Sequence, residues 1–263
     1  KNINTEKKYC MKVIHPKINY EIKVLSYFIH LLPLEKYFRK IIPISLKQFF
    51  NYFTYQTDLI KESNNILFFK DYYKNNKLLY IPEVYKASKN VLIMEYIPSR
   101  KIENCLDLSE YKKRKLVCYL YLFIRSNSLL NFNHGDLHKG NWGISLDNQR
   151  IVIYDMGICW KINRDKHKYI LDAIGLFDGD YMNNKELFNE LAVIMDNLCD
   201  INIEKEHFKE YANNVKEENN IELLDSLSIY HILITYLIEN NLILDYNIFS
   251  CLIMINQVGN LFY

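Results

Sequence analysis

His134-Gly135-Asp136-Leu137-His138-Lys139-Gly140-Asn141, followed by Tyr154-Asp155-Met156-Gly157, is the stretch on which the fold turns. Asn141 stands five residues beyond Asp136, and Asp155 fourteen beyond Asn141. Between them, Asn141–Leu146 and Ile151–Tyr154 read as two short strands turning at Asp147-Asn148-Gln149. Phosphoryl transfer needs a carboxylate to orient or deprotonate the nucleophile, and oxygen ligands to hold Mg2+ against phosphates. An Asp and an Asn in one tight loop, with a second Asp after an apolar strand, supply that set. On this reading Asp136 serves the nucleophile, Asn141 and Asp155 hold the metal, and the cofactors are ATP and Mg2+. Asp, Asn and Gly also favour plain turns, but that alternative accounts for each element separately and not for both together. His134 is expected to anchor the loop through hydrogen bonds, and His138 to brace it.

The chain has 263 residues, 49% hydrophobic and 24% charged, with a formal charge of +2. That length can bury a sizeable core as one large domain or two lobes. The near-balanced charge predicts no nucleic-acid partner. Of the 7 glycines none precedes Gly135, and Gly135, Gly140, Gly143 and Gly157 cluster around the motif. They are expected to turn the loop sharply and let backbone approach phosphates. The 6 cysteines (Cys10, Cys105, Cys118, Cys159, Cys199, Cys251) show no metal-ligand spacing, and free thiols in a reducing compartment are expected. The longest apolar runs, Leu116–Ile124 and Ile229–Ile238, are too short to span a bilayer, and residues 1–9 carry no signal-peptide core. Abundant Lys, Asn, Ile and Tyr suits the AT-rich genome of a virus or protist.

Working outward from the motif, Tyr9–Ile14 reads as a strand stopped by Pro16, and residues 19–70 as helices punctuated by Pro33 and Pro43. Ile18, Ile22, Leu25 and Ile29 form the first helical stripe. Leu78–Val84 and Val91–Tyr96 read as a strand pair joined at Ala87–Asn90, and Glu110–Leu130 as a helix. From about Lys166 to Tyr263 the pattern is almost wholly helical, broken near Asn183, Glu217–Asn220 and Asn240. The fold class is α+β: a protein-kinase-like bilobal fold, with a small mixed lobe over residues 1–97 and a mostly helical lobe over 98–263. Such a core needs a strand lysine on the phosphates, paired to a helix glutamate. Lys12 and Glu62 are the candidates. The backbone of Met94-Glu95-Tyr96, ending a strand, is the candidate hinge for an adenine edge. Trp142 and Trp160 read as packing, and nothing after residue 200 carries recognisable chemistry.

Together these residues resemble the UbiB family of atypical kinases, the aarF-domain proteins linked to coenzyme Q biosynthesis. The family's V-K-V-x-x-P phrase reads Met11-Lys12-Val13-Ile14-His15-Pro16, and its D-L/F-x-x-E-A-x-N helix reads Asp58-Leu59-Ile60-Lys61-Glu62-Ser63-Asn64-Asn65. Its sheet phrase reads Ile81-Pro82-Glu83-Val84, then Val91 to Tyr96. The catalytic H-A-D-x-H-P-G-N becomes His134 to Asn141 with Lys139 in place of proline, and D-F-G becomes Asp155-Met156-Gly157. The resemblance implies helices inserted between Lys12 and Glu62. The family's K-x-G-Q helix and alanine-rich nucleotide loop do not occur in the residues before Lys12, and its E-x-D reads Gln56-Thr57-Asp58.

The resemblance implies a kinase or ATPase that binds ATP with Mg2+ and passes the γ-phosphoryl group to a small molecule, a lipid or water. No A-P-E segment follows Asp155, so no protein-substrate platform is expected. Peripheral membrane contact is compatible with the family's role. Two alternatives are a pseudokinase acting as a binding or scaffold module, and an aminoglycoside- or choline-kinase-like phosphotransferase. An acidic, aromatic acceptor pocket in the helical lobe would mark the last.

Overall fold

The computed structural model describes residues 7–31, 34–147, 149–178, 184–198, 203–219, 221, 226–250 and 253. Strand β1 (Tyr9–Val13) leads into helices α1 (Ile18–Leu31), α2 (Leu34–Phe38), α3 (Leu46–Tyr55) and α4 (Leu59–Tyr72). Strands β2 (Leu79–Tyr80), β3 (Val84–Ala87), β4 (Val91–Glu95) and β5 (Ser99–Arg100) follow, then helix α5 (Glu110–Leu129). Strands β6 (Asn133–His134), β7 (Trp142–Ser145), β8 (Ile151–Ile153) and β9 (Cys159–Trp160) precede helices α6 (Arg164–Asp178), α7 (Asn184–Leu198), α8 (Lys205–Glu218) and α9 (Ser226–Glu239). This is the expected α+β, kinase-like arrangement. The breaks expected at Pro33, Asn183 and Asn220, the thiols Cys199 and Cys251, and the tail past 253 lie outside the described residues.

The first sheet runs β1-β4-β3 and is antiparallel, with Lys12 opposite Leu92 and Cys10 opposite Met94. Period-two alternation puts Cys10, Lys12, Leu92 and Met94 on one face. The opposite face leaves Met11 and Val13 exposed. The expected pairing of Leu78–Val84 with Val91–Tyr96 is corrected. Leu79–Tyr80 instead joins a second sheet, parallel to Ile151–Val152, and only Val84–Ala87 pairs with β4. Pro82, lacking an N–H, divides the run at the point where it changes sheets. The second sheet, β2-β8-β7-β5, buries Ile151, Val152 and Ile153 completely or nearly so.

Helix α4 is the hub of the core. Leu59, Ile66 and Phe69 are buried, and the Phe69 ring packs on Phe132 and Phe123 at 5.1 and 5.8 Å. Tyr73, just past its end, donates to Asn127 Oδ1 at 2.7 Å, joining α4 to α5. Helix α1 differs from its expected stripe: Ile22 is buried but Leu25 is exposed, as are Tyr20, Tyr27 and Phe28. Farther along, Leu244 donates its N–H to Pro43 and bridges Ile44, fastening the segment before α3 to the far end of the chain.

A glycine-poor chain must reverse its helices by other means. Asn131 and Asn241 take φ of 52° and 53° just beyond α5 and α9. Phe132 N–H donates to the Asn127 carbonyl and Leu242 N–H to that of Leu237, the six-to-one bond of a glycine-type helix stop with asparagine in the left-handed position.

Candidate active site

The helical run expected over 19–70 also breaks at Gln56–Asp58, and helix α4 begins afresh at Leu59. Asp58 caps it by accepting the Ile60 N–H at 3.1 Å, and the Leu59 N–H donates to Lys89 in the β3–β4 turn at 3.0 Å. Glu62 sits in the first turn, where the helix dipole favours a carboxylate. One turn on, Asn65 donates to the Met156 carbonyl at 2.9 Å, so α4 grips the Asp155–Gly157 loop.

Lys12 bridges two carboxylates. Its Nζ donates to Glu62 Oε2 at 2.8 Å and Oε1 at 3.0 Å, and to Asp155 Oδ2 at 2.9 Å. Burial opposes the ammonium charge, but Asp155 and Glu62 outweigh it and raise the Lys12 pKa. Burial raises Glu62, reinforced by the nearby Asp155 charge against the pull of Lys12. Asp155 goes the other way: burial would raise it, yet Lys12 and the Gly157 N–H, donating to Oδ1 at 2.8 Å, lower it. The Asp155 carboxylate is thus kept ionised, as a cation ligand must be.

The β7–β8 hairpin closes the distance between Asn141 and Asp155. Trp142 lies opposite Ile153, and the Tyr154 N–H donates to the Asn141 carbonyl at 2.9 Å, which sets Asn141 beside the chain entering Asp155. Asn141 Nδ2 donates to the Asp136 carbonyl at 2.8 Å, leaving Oδ1 as the end a cation can use. His138 lies 3.7 Å from Asp136 Oδ2 through Nε2, while its Nδ1 accepts the Gly140 N–H at 2.9 Å. It braces the loop, as expected. Lys139, in the position of the family's proline, pairs with Glu103 at 3.3 Å.

His134 ties the two halves of the motif together. Its Nδ1 accepts the Asp136 N–H at 3.2 Å, so Nε2 carries the proton and donates to the Asp155 carbonyl at 2.6 Å. Burial pushes its pKa below the ordinary 6.5, against the attraction of Asp155 and Asp136. A base buried neutral stabilises the fold above its unfolded pKa, and that stability is lost as pH falls below 6.5 toward the folded value. Unfolding midpoints are therefore expected to drop on acidification from pH 7 to 5, with a single-proton slope of at most about 1.4 kcal/mol per pH unit. His134→Gln should flatten that part of the curve; an unchanged slope would count against the assignment.

Residues 2–188 match the ABC1 atypical kinase-like domain. The chain belongs to this family. The resemblance read from Lys12, Glu62, the catalytic loop and Asp155-Met156-Gly157 is thereby borne out. No curated protein matches the sequence. Among solved structures, Rv3197 of Mycobacterium tuberculosis, determined with erythromycin, is similar at 14% identity and a TM-score of 0.55. The alignment covers 96% of this chain and 68% of that one. At that identity the likeness speaks for the fold alone.

Within this ABC1-family fold, Lys12, Glu62 and Asp155 form one contact cluster, and Asp136, Asn141 and His134 a second, joined through His134 and the Asp155 carbonyl. No hydrogen bond joins Met94, Glu95 or Tyr96 to either cluster among the described residues. Met94 is buried within the ladder opposite Cys10. The Glu95 N–H donates to the Glu83 carbonyl at 2.8 Å, its carboxylate accepts from Tyr80 at 2.8 Å, and Tyr96 is exposed. The glycines differ from expectation in their reason. None of Gly135, Gly140, Gly143 and Gly157 has positive φ, so a left-handed turn is not what they supply. A Cβ on Gly135 would lie 2.5 Å from Trp160 Nε1 and 2.6 Å from Ile158 Cγ2: the position needs space.

That contact exposes what the sequence reading missed. Trp160 does pack, at 5% exposure, but it also lines a cavity of about 530 Å3 together with Gln48, Tyr52, Tyr55, Phe132 and Tyr246. These residues come from α3, the loop after α5, β9 and the segment past α9. No motif spacing could have linked them.

Proposed function

We propose that this ABC1-family chain binds ATP with Mg2+ and transfers the γ-phosphoryl group to a small molecule, a lipid or water. The observation that carries the reading is the Lys12–Glu62–Asp155 contact, in which one lysine from the first strand meets a helix carboxylate and the carboxylate after β8. The donor chemistry suits the cation. Among the described residues no three or more His, Cys, Asp or Glu side chains gather into a cage, and Mg2+ needs none. It takes one or two carboxylates or amide oxygens, with phosphate and water completing the shell. Asp155 and Asn141 Oδ1 would hold it, and it would neutralise charge developing on the phosphates.

The chain's own residues do the rest. Lys12 is held extended by Glu62, so its ammonium is already aimed when it exchanges the Asp155 carboxylate for phosphate oxygens. Asn141, donating to Asp136, fixes the loop on which Asp136 presents its carboxylate to the acceptor hydroxyl. His134 keeps the Asp155 backbone and the Asp136 backbone in one frame.

The test is nucleotide turnover by the wild type against Asp136→Asn, with ATP affinity measured on both. Loss of a positioned base is expected to slow turnover about 100- to 10,000-fold, with ATP affinity held within a few-fold. Wild-type turnover indistinguishable from Asp136→Asn would favour the alternative of a binding or scaffold module.

A further inference from the structure

The Lys12 ammonium has three hydrogens to donate, and all three go to carboxylate oxygens: Glu62 Oε2 at 2.8 Å, Glu62 Oε1 at 3.0 Å and Asp155 Oδ2 at 2.9 Å. The remaining oxygen of the pair, Asp155 Oδ1, accepts the Gly157 N–H at 2.8 Å. Donors of the chain itself thus reach every carboxylate oxygen that Glu62 and Asp155 possess. A cation such as Mg2+ needs a carboxylate oxygen at about 2.0–2.1 Å. At Asp155 Oδ2 it would stand against an ammonium already within hydrogen-bond distance, and like charges that close repel strongly at a partly buried site.

The loop that carries Asp155 does not depend on Lys12 for its position. Asn65 of α4 donates to the Met156 carbonyl at 2.9 Å, and His134 holds the Asp155 carbonyl at 2.6 Å. Gly157 leaves room for the two acids to approach each other: a Cβ there would lie 3.0 Å from Asp155 Oδ1 and 3.5 Å from Glu62 Oε2. With the lysine gone, the backbone still holds Asp155 in place. The two ends of the bridge are also unequal. The Glu62 side chain is 3% exposed and that of Asp155 37%. The Glu62 contact is the anchor, and the Asp155 contact is the one a ligand can reach.

We propose, resting on the nucleotide-binding reading above, that Lys12 is a built-in counter-ion on Asp155 that makes divalent-cation binding conditional on nucleotide. A nucleoside triphosphate brings its own negative charges. Lys12 keeps Glu62 and exchanges Asp155 for a phosphate oxygen, and the freed carboxylate, with Asn141 Oδ1, takes the cation. Both ligands favour the same arrangement, so metal and nucleotide raise each other's affinity by the same factor. A divalent cation arriving alone has to compete with the ammonium and binds weakly.

Titration of the whole chain with Mn2+ in the absence of nucleotide tests this, read from the paramagnetic resonance signal of the free ion. Mn2+ takes the same oxygen ligands as Mg2+. Lys12→Met is expected to bind Mn2+ about tenfold or more tightly than the wild type, a coupling of ordinary size. Lys12→Met/Asp155→Asn is expected to lose that gain. Should Lys12→Met fail to fold, Lys12→Met/Glu62→Gln removes the buried acid together with its partner and is likewise expected to exceed the wild type. A lysine that only supports the site predicts the reverse, with weaker Mn2+ binding once it is gone. Unchanged or weaker Mn2+ binding without Lys12, or a gain that persists in Lys12→Met/Asp155→Asn, overturns the proposal. Mg2+–ATP titrated into the wild type separates the two readings. ATP binding with no gain of Mn2+ in the variants defeats this role of Lys12 alone. A gain of Mn2+ without any ATP binding upholds Lys12 as the cation's competitor and defeats the nucleotide reading instead.

Discussion

Replacing Lys12 with methionine is expected to abolish nucleotide turnover and to destabilise the fold at the same time, for separable reasons. On the proposed reading the lysine would supply positive charge where phosphate charge develops, and loss of one such group is worth about 100- to 1000-fold in rate. The stability loss has a different origin. Glu62 is only 3% exposed and would lose its partner, whereas the Lys12 side chain is 36% exposed and reaches solvent. An uncompensated buried carboxylate costs more than an exposed ion pair gains. Its raised pKa offers relief by protonation, so the expected loss is about 1–3 kcal/mol, or about 2–4 °C per kcal/mol for a chain of this size. Lys12→Met/Glu62→Gln separates the two effects. Thermal melts should recover most of the lost stability in the double variant while turnover stays absent. Turnover recovering along with stability would mean that Lys12 only supports the fold.

The second large effect falls on Asp155. Asp155→Ala is expected to weaken Mg2+-dependent ATP binding by at least about 100-fold, because a hard cation loses its one ionised ligand in the site. The same change frees Lys12 for Glu62 and leaves the Gly157 N–H without its acceptor. Asp155→Asn keeps an oxygen for that N–H, and is expected to fold better than the alanine variant while losing comparable metal dependence. Chelating the metal should reduce ATP binding by the wild type to the level of Asp155→Ala and change the variant little. Mg2+-dependent binding that survives Asp155→Ala unchanged would remove Asp155 from the metal site.

Much of the motif geometry was legible because local chemistry decides it. Asn141 and Asp155 are brought together by a hairpin whose turn residues are plain in the sequence, whereas the cap at Asp58 that starts α4 was not marked by any reading of the run 19–70. The stops near Leu130 and Asn240 were legible to within a residue, but not their means, since Asn131 and Asn241 do the work usually given to glycine. Strand membership was misjudged at Leu79–Tyr80. Two residues before a proline carry too little pattern to say which sheet will take them, and the choice was made by burial against Ile151 and Val152.

What the sequence determined by itself was the family and the kinase-like fold; it also singled out Lys12, Glu62, Asp136, Asn141 and Asp155 as candidates. Asp136, Asn141 and Asp155 are spaced by one loop and one hairpin, whereas Lys12 and Glu62 are separated by three helices. Only the tertiary structure decided that Lys12 grips both carboxylates at once, and that α3, β9 and residues 245–247 line an open cavity beside Gly135. The physical reason is range. Capping and turn chemistry act over a few residues, whereas that wall is assembled by packing between segments as distant as Tyr52 and Tyr246. No periodicity in the chain records such a meeting.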